Sequence, residues 1–156
     1  MTAARRPGGL WIAALVLALV GTGIAAYLTY VHYSGASPIC EISHGCEKVQ
    51  TSEWSKLAGV PVALLGLIGY VGILGALFVR GELGTVGAAA LSWVGFGFSA
   101  YLTYREIFTI EAICIWCVAS AIVLTLLTAV TTVRLLRMTP DPGPPAAQRD
   151  RAGAAA

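Results

Sequence analysis

The stretch Ala112–Leu136, AICIWCVASAIVLTLLTAVTTVRLL, decides how the chain is read. It contains no acid, and its one base, Arg134, comes near the far end. A helix needs roughly 20 predominantly apolar residues to cross the hydrocarbon of a bilayer, and this run is long enough. Two cysteines, Cys114 and Cys117, stand at its head. Working outward, three more runs of similar character precede it: Leu10–Val31, Val60–Val79 and Gly84–Tyr104, none with an acid or a base. Composition agrees. Charged residues make up 12% of the chain, about half the usual share of a soluble domain. The mean hydropathy of +0.77 exceeds what one small soluble core can hide. The prediction is an all-α, integral membrane four-helix bundle, one domain over residues 10–136, with spans at about 10–31, 60–79, 84–104 and 112–136. A short segment, 1–9, precedes it. The tail 137–156, rich in Pro, Gly and Ala, is expected to be disordered.

Basic residues set the expected orientation. Arg5, Arg6, Arg80, Arg134, Arg137, Arg149 and Arg151 fall on one side of the spans; Lys48, Lys56 and Arg105 fall on the other. Positive residues accumulate on the cytoplasmic side of membrane proteins, so both termini are placed in the cytoplasm. The long loop 32–59 and the short link Arg105–Glu111 are then extracytoplasmic, on the outer face of a plasma (inner) membrane, where disulfide chemistry is permitted. A cleavable signal peptide is the competing reading of the first run, since Arg5 and Arg6 precede it and small residues follow at Gly21–Ala26. Against that, the run stays apolar past the cleavage point. A net charge of +2, with no basic aromatic patch, gives no reason to expect a nucleic-acid partner.

The connections are unequal. Spans two and three, and three and four, are joined by brief links, whereas 28 residues, His32 to Gly59, separate spans one and two. A connection that long in a compact chain is usually functional or disordered. Within it, Ser52–Ala58 is expected to form a short interfacial helix ended by Gly59. One repeat ties the halves together: Ala-Tyr-Leu-Thr-Tyr occurs at Ala26–Tyr30 and again at Ala100–Tyr104, each followed ten residues later by a cysteine, Cys40 and Cys114. That points to two hairpins of common origin, as internal repeats in membrane folds often are.

The four cysteines form two pairs, Cys40 with Cys46 in the loop and Cys114 with Cys117 at the head of span four. Both pairs follow odd-numbered spans, so both lie on one face of the membrane and can meet. On a helix, positions three apart share a face, which lets Cys114 and Cys117 close into a disulfide or open with little backbone movement. The helix N-terminus favours a thiolate there, the form that attacks disulfides and electron-poor rings. Val118, Ala119, Ser120 and Ala121 follow, small enough to leave room for a lipid-soluble substrate. The loop pair, in the polar segment ICEISHGCEK, is expected to face water and a soluble protein. One pair toward water and one toward lipid is the layout of an electron relay. Two purely structural disulfides compete with this reading, although a bridge across three residues would constrain little loop entropy. A zinc site using all four sulfurs, or a metal-binding scaffold without catalysis, competes as well. Such a site needs every sulfur on one ion at the bilayer edge, so no metal is expected. Among lesser candidates, His44 lies between the loop cysteines. Glu111, three residues before Cys114, is a first-turn acid with a possible role in proton handling. Trp11, Trp54 and Trp93 read as interface anchors, while Trp116 sits inside the pair.

Taken together, these residues resemble the vitamin K epoxide reductase family, in its short four-helix bacterial form. The likeness covers roughly Ile24 to Leu127. It rests on the first cysteine, Cys46-Glu-Lys-Val with Ser52 soon after, the Gly59-Val-Pro61 lead-in to span two, Leu64-Leu-Gly66, Tyr70, and the terminal Cys114-Ile-Trp-Cys117. The order, loop pair first and helical pair last, is the specific part. The resemblance implies an oxidoreductase that promotes disulfide formation by passing electrons to a quinone, menaquinone or ubiquinone. It implies that Cys117 engages the quinone with Cys114 as its disulfide partner, that Cys46 exchanges with Cys114, and that Cys40 is the outermost sulfur. Ser52, Trp116 and Ala121 are the candidate quinone contacts. Ala121 stands where the animal enzyme has a tyrosine, so a plain quinone is expected rather than vitamin K epoxide, a dedicated quinone or epoxide reductase being the alternative. The chain ends soon after span four, so the electron donor is expected to be a separate thioredoxin-fold, DsbA-like protein.

The orientation can be tested directly. In intact cells treated with a membrane-impermeant reductant, an impermeant thiol reagent should label Cys40 or Cys46. Labelling that requires opening the membrane from the cytoplasmic side would overturn the assignment.

Overall fold

The computed structural model describes residues 8–36, 38–39, 45–51, 55–57 and 59–138. Helix α1 (Gly9–Ser34) is followed by a short α2 (Gly45–Thr51), a two-residue hairpin of β1 (Lys56–Leu57) and β2 (Val60–Pro61), then α3 (Val62–Phe78) and α4 (Glu82–Arg105). A π-helical turn, Glu106–Ile110, continues α4, and α5 (Ile115–Leu136) closes the chain. The four long helices form a bundle in which α1 and α4 each pack on both α3 and α5. Three of them, Gly9–Ser34, Glu82–Ile110 and Ile115–Leu136, are long and apolar enough to cross a membrane; α3 is a shorter apolar helix of 17 residues.

The packing inverts the soluble rule. On α1 the buried positions are Ala14, Ala18, Gly21, Ala25, Leu28 and Val31, a three-to-four-residue period of mostly small side chains. The bulky Ile12, Val16, Leu19 and Val20 point outward. On α4 the buried set is Gly84, Thr85, Ala88, Ala89 and Ser92, while Trp93 and Val94 are exposed. Where lipid surrounds a bundle, burying apolar bulk gains little, and close approach through small residues and hydrogen bonds holds helices together. The hydrogen bonds are present. Thr128 Oγ1 on α5 donates to the Ser92 carbonyl on α4 at 3.0 Å, and Trp11 Nε1 donates to the Leu77 carbonyl at 3.0 Å, tying the start of α1 to the end of α3. In the repeated pentapeptide, Thr29 and Thr103 each donate to the carbonyl four residues back, at 2.7 and 3.0 Å. Its exposed Tyr30, Tyr101 and Tyr104 flank the same end of the bundle.

Three expectations change in detail. The link after span three is mostly helical, because α4 runs on into the π-helical turn. Helix α5 begins at Ile115, leaving Cys114 as its extended N-cap (φ −96°, ψ 115°) rather than a residue of its first turn. The stretch expected as an interfacial helix over Ser52–Ala58 instead carries β1, paired Lys56 to Pro61 and Leu57 to Val60. Gly59, at φ +83°, makes the tight reversal that a glycine tolerates and other residues resist. The helix lies earlier, at α2, and the tail after Met138 falls outside the described residues.

Gly21 decides one contact. A Cβ there would land on the ring of Tyr70, which is 2% exposed and reaches across from α3. Gly21→Ala should therefore push the ring aside and cost about 1–3 kcal/mol, the usual range for overpacking. Thermal unfolding in detergent measures this, and an unshifted midpoint would show that the contact is slack.

Candidate functional site

At the end of the bundle that holds Cys114, the chain must pass from α4 to α5 without leaving backbone donors unpaired, which a low-dielectric setting penalises heavily. Glu106 solves this. Its backbone carbonyl accepts the N–H of Glu111 and, at 3.2 Å, that of Ala112. Its carboxylate oxygen Oε2 accepts the N–H of Cys114 at 3.3 Å, and the same side chain lines a cavity together with Cys117. The side chain is 5% exposed. π-Helical turns of this kind recur at functional sites. Glu111, the acid favoured by its closeness to Cys114 in sequence, is exposed instead, held in the left-handed region at φ 50°.

The two helical cysteines look into different surroundings. Cys114 is fully buried in a small cluster with Cys46, Val49 and Ile110. Cys117 is partly exposed to an apolar cavity of about 420 Å³ between the helices, within the usual size range for small-molecule sites. Tyr70, Phe98, Ser120 and Glu106 line that cavity with Cys117. Tyr70 spans it: its hydroxyl lies 2.9 Å from Ser120 Oγ and donates to the Ser120 carbonyl at 3.2 Å, joining α3 to α5 across the bundle. Cys114 and Cys117 are free thiols, whereas Cys46 is disulfide-bonded to a sulfur outside the described residues. A hydrogen bond from the Cys117 side chain pulls the Cys114 thiol below the usual thiol range, against the opposing effect of burial.

Not every expected site residue falls here. Cys40, His44 and Ser52 lie outside the described residues. Cys46, expected to face water, is 1% exposed, because α2 puts Cys46 and Val49 on the one helical face that packs inward. Ala121 and Trp116 are not among the residues that line the cavity. The Trp116 indole turns the other way. It packs against Tyr27 with ring centroids 4.9 Å apart and planes tilted by 47°, and its Nε1 donates to the Ile39 carbonyl at 3.1 Å. The Ile39 N–H in turn donates to the Tyr27 hydroxyl at 3.0 Å. Ile39 directly precedes Cys40 in sequence, so this clasp pins the loop to the head of α5. Glu106 is the residue that sequence reasoning passed over, while Tyr70 was noted only as part of the family likeness and not as a cavity residue. The phase of α4, through Ser99, Leu102, Thr103 and Glu106, is the signal that would have found the first. Among the described residues, no group of three or more His, Cys, Asp or Glu is placed to hold a metal ion.

The clasp yields a measurable expectation. Trp116→Phe keeps a ring for Tyr27 but loses the N–H to Ile39, worth about 1 kcal/mol net. Amide exchange at Ile39 should accelerate about fivefold, followed by mass spectrometry of the peptide containing it. An unchanged rate would mean that the indole does not hold the loop.

A search of curated proteins finds no match to this chain. The profile of the vitamin K epoxide reductase family, by contrast, matches residues 12–132, which takes in most of α1 and α5, the whole of α2, α3 and α4, and every cysteine. With a thiol pair at the edge of an apolar cavity and a disulfide-bonded cysteine packed beside it, the chain belongs to the vitamin K epoxide reductase family of membrane, quinone-linked thiol oxidoreductases.

Proposed function

We propose that the protein carries electron pairs from a reduced, thioredoxin-fold DsbA-like partner outside the cytoplasm, through Cys40 and Cys46 and then Cys114 and Cys117, to a quinone held between the helices, menaquinone or ubiquinone. The net result is disulfide formation in the partner's substrates. The observation that carries this reading is the division between the two helical sulfurs: Cys114 is packed against Cys46, and Cys117 opens onto the apolar cavity. A pair arranged this way can take electrons on one side and release them on the other.

The steps balance as ordinary thiol–disulfide exchange. The reduced partner attacks Cys40 and leaves oxidised, converting the loop disulfide to two thiols. Cys46 then attacks a Cys114–Cys117 disulfide at Cys114, and Cys117 departs as a thiolate beside the cavity. Cys40 resolves the Cys46–Cys114 bridge, restoring the loop disulfide and leaving Cys114 and Cys117 reduced. That pair closes again to a disulfide as two electrons pass to the quinone, which becomes a quinol. The seven arginines on the side opposite the cysteines support the sidedness.

Two measurements bear on this. Anaerobic mixing of the purified protein with a reduced DsbA-like partner and menaquinone or ubiquinone should produce one quinol per partner disulfide, and no quinol would sink the proposal. The order of the sulfurs is tested by trapping. Cys117→Ala removes the competitor that would reclaim Cys114, so a Cys46–Cys114 disulfide should persist. With a protease site placed in the α3–α4 turn, the two halves should stay joined on a non-reducing gel and part with reductant, and the variant should reduce no quinone. If Cys114→Ala traps the link instead, the roles of the two cysteines are reversed.

A further inference from the structure

We infer that Glu106 is a catalytic proton carrier, holding as a carboxylic acid one of the two protons that a quinone takes up when the Cys114–Cys117 pair is oxidised. The inference rests on the quinone reaction proposed above and adds to it the source of a proton.

Electrons reach a quinone in a dry cavity readily, but a quinol also needs two protons, and nothing apolar supplies them. Glu106 lines the same cavity as the reacting sulfur, holds the Cys114 N–H at 3.3 Å and is almost wholly withdrawn from solvent. Keeping an ionised carboxylate so deep is costly unless it is paired, and its neighbour Arg105 hydrogen-bonds Tyr101 at 3.1 Å and Thr109 at 3.5 Å. Among the described residues, the other titratable groups around it are Cys114 and Cys117 at the head of α5 and Tyr70 across the cavity. On α2, which packs against the π-helical turn, Lys48 is exposed.

The bookkeeping closes with one stored proton. Before transfer, Cys114 is a thiolate, Cys117 a thiol and Glu106 a carboxylic acid. A sulfur–sulfur bond then forms, the Cys117 S–H and the Glu106 O–H break, and two O–H bonds form on the quinol. The electron pair leaves the sulfurs for the quinone ring. One negative charge is present before, on Cys114, and one after, on Glu106. When an incoming dithiol reduces the pair again, one of its protons returns to Cys117 and the other to Glu106. The group ends each cycle as it began. A structural role alone, as acceptor for the Cys114 N–H, would need no such change of protonation, and that difference is what the experiment reads.

Glu106→Gln keeps a carbonyl oxygen for the Cys114 N–H and removes the titrating group. In full-length protein reduced beforehand and mixed with a short-chain quinone, single-turnover quinol formation should slow about 100-fold, the usual worth of a positioned acid. Glu106→Asp should recover part of the loss. In the wild type without quinone, the reduced-minus-oxidised infrared difference spectrum should gain a carboxylic-acid C=O band that Glu106→Gln lacks. A wild-type spectrum without that band overturns the inference even if the variant fails to fold, and so does a variant that turns over within twofold of wild type. A wild type whose thiols cycle but which reduces no quinone overturns the function proposed above, and the infrared band then decides the role of Glu106 by itself.

Discussion

The cysteine-bearing end of this bundle depends on how five residues of chain, Ile110 to Cys114, reverse between two helices where water is scarce. One residue accepts three of the donors that reversal exposes. The Glu106 backbone carbonyl takes the N–H groups of Glu111 and Ala112, and its side chain takes that of Cys114. Because Cys114 is thereby fixed just before the first turn of α5, Cys117 falls three residues on, inside the helix and at the cavity wall. The split surroundings of the two sulfurs thus follow from a backbone hydrogen-bonding problem. The chemistry is placed by the same bonds that satisfy the fold.

Below that end, the bundle is held by different means. Alanines and glycines on α1 and α4 bring backbones close, and threonine and serine hydroxyls bond to carbonyls of their own or neighbouring helices. Such a core has little bulk to fill the space between α3, α4 and α5 near the cysteines. Tyr70 crosses part of it, and the remainder is the cavity. An opening for an apolar substrate and a core of small residues are two aspects of one packing choice. The clasp of Tyr27, Trp116 and Ile39 sits outside the cavity and restrains the loop instead.

Much of this was legible in the sequence. The four apolar runs announced the helices because few sequences stay uncharged for 20 residues by accident, and the rarity of cysteine made the two pairs conspicuous. The helix boundaries and the contact residues were less so. Glu106 was hidden because the link Arg105–Glu111 reads as an exposed turn, where a carboxylate is unremarkable. Only the continuation of α4 by a π-helical turn carries it inward, and a π-helical turn has no compositional mark. Glu111 drew attention through nearness in sequence, but a left-handed backbone turns it to solvent. Cys46 sat in a polar segment that suggested water. The periodicity of seven residues, Gly45–Thr51, was too short to reveal that α2 buries it. The hairpin at Lys56–Pro61 depends on Gly59 alone, and one glycine is a weak signal between two apolar segments.

The shortness of α3 has a consequence for the surrounding lipid. At 1.5 Å per residue, its 17 residues extend about 26 Å, less than the roughly 30 Å of a typical hydrocarbon core. Its neighbours α1, α4 and α5 are longer, at 26, 24 and 22 residues, so a bilayer that suits them is mismatched along one flank. Mismatch of this size is relieved by local thinning or tilt at a fraction of a kcal/mol per Å. That flank belongs to the helix that supplies Tyr70 and much of the cavity wall, so acyl chains are most compressed and disordered beside the wall of the apolar cavity.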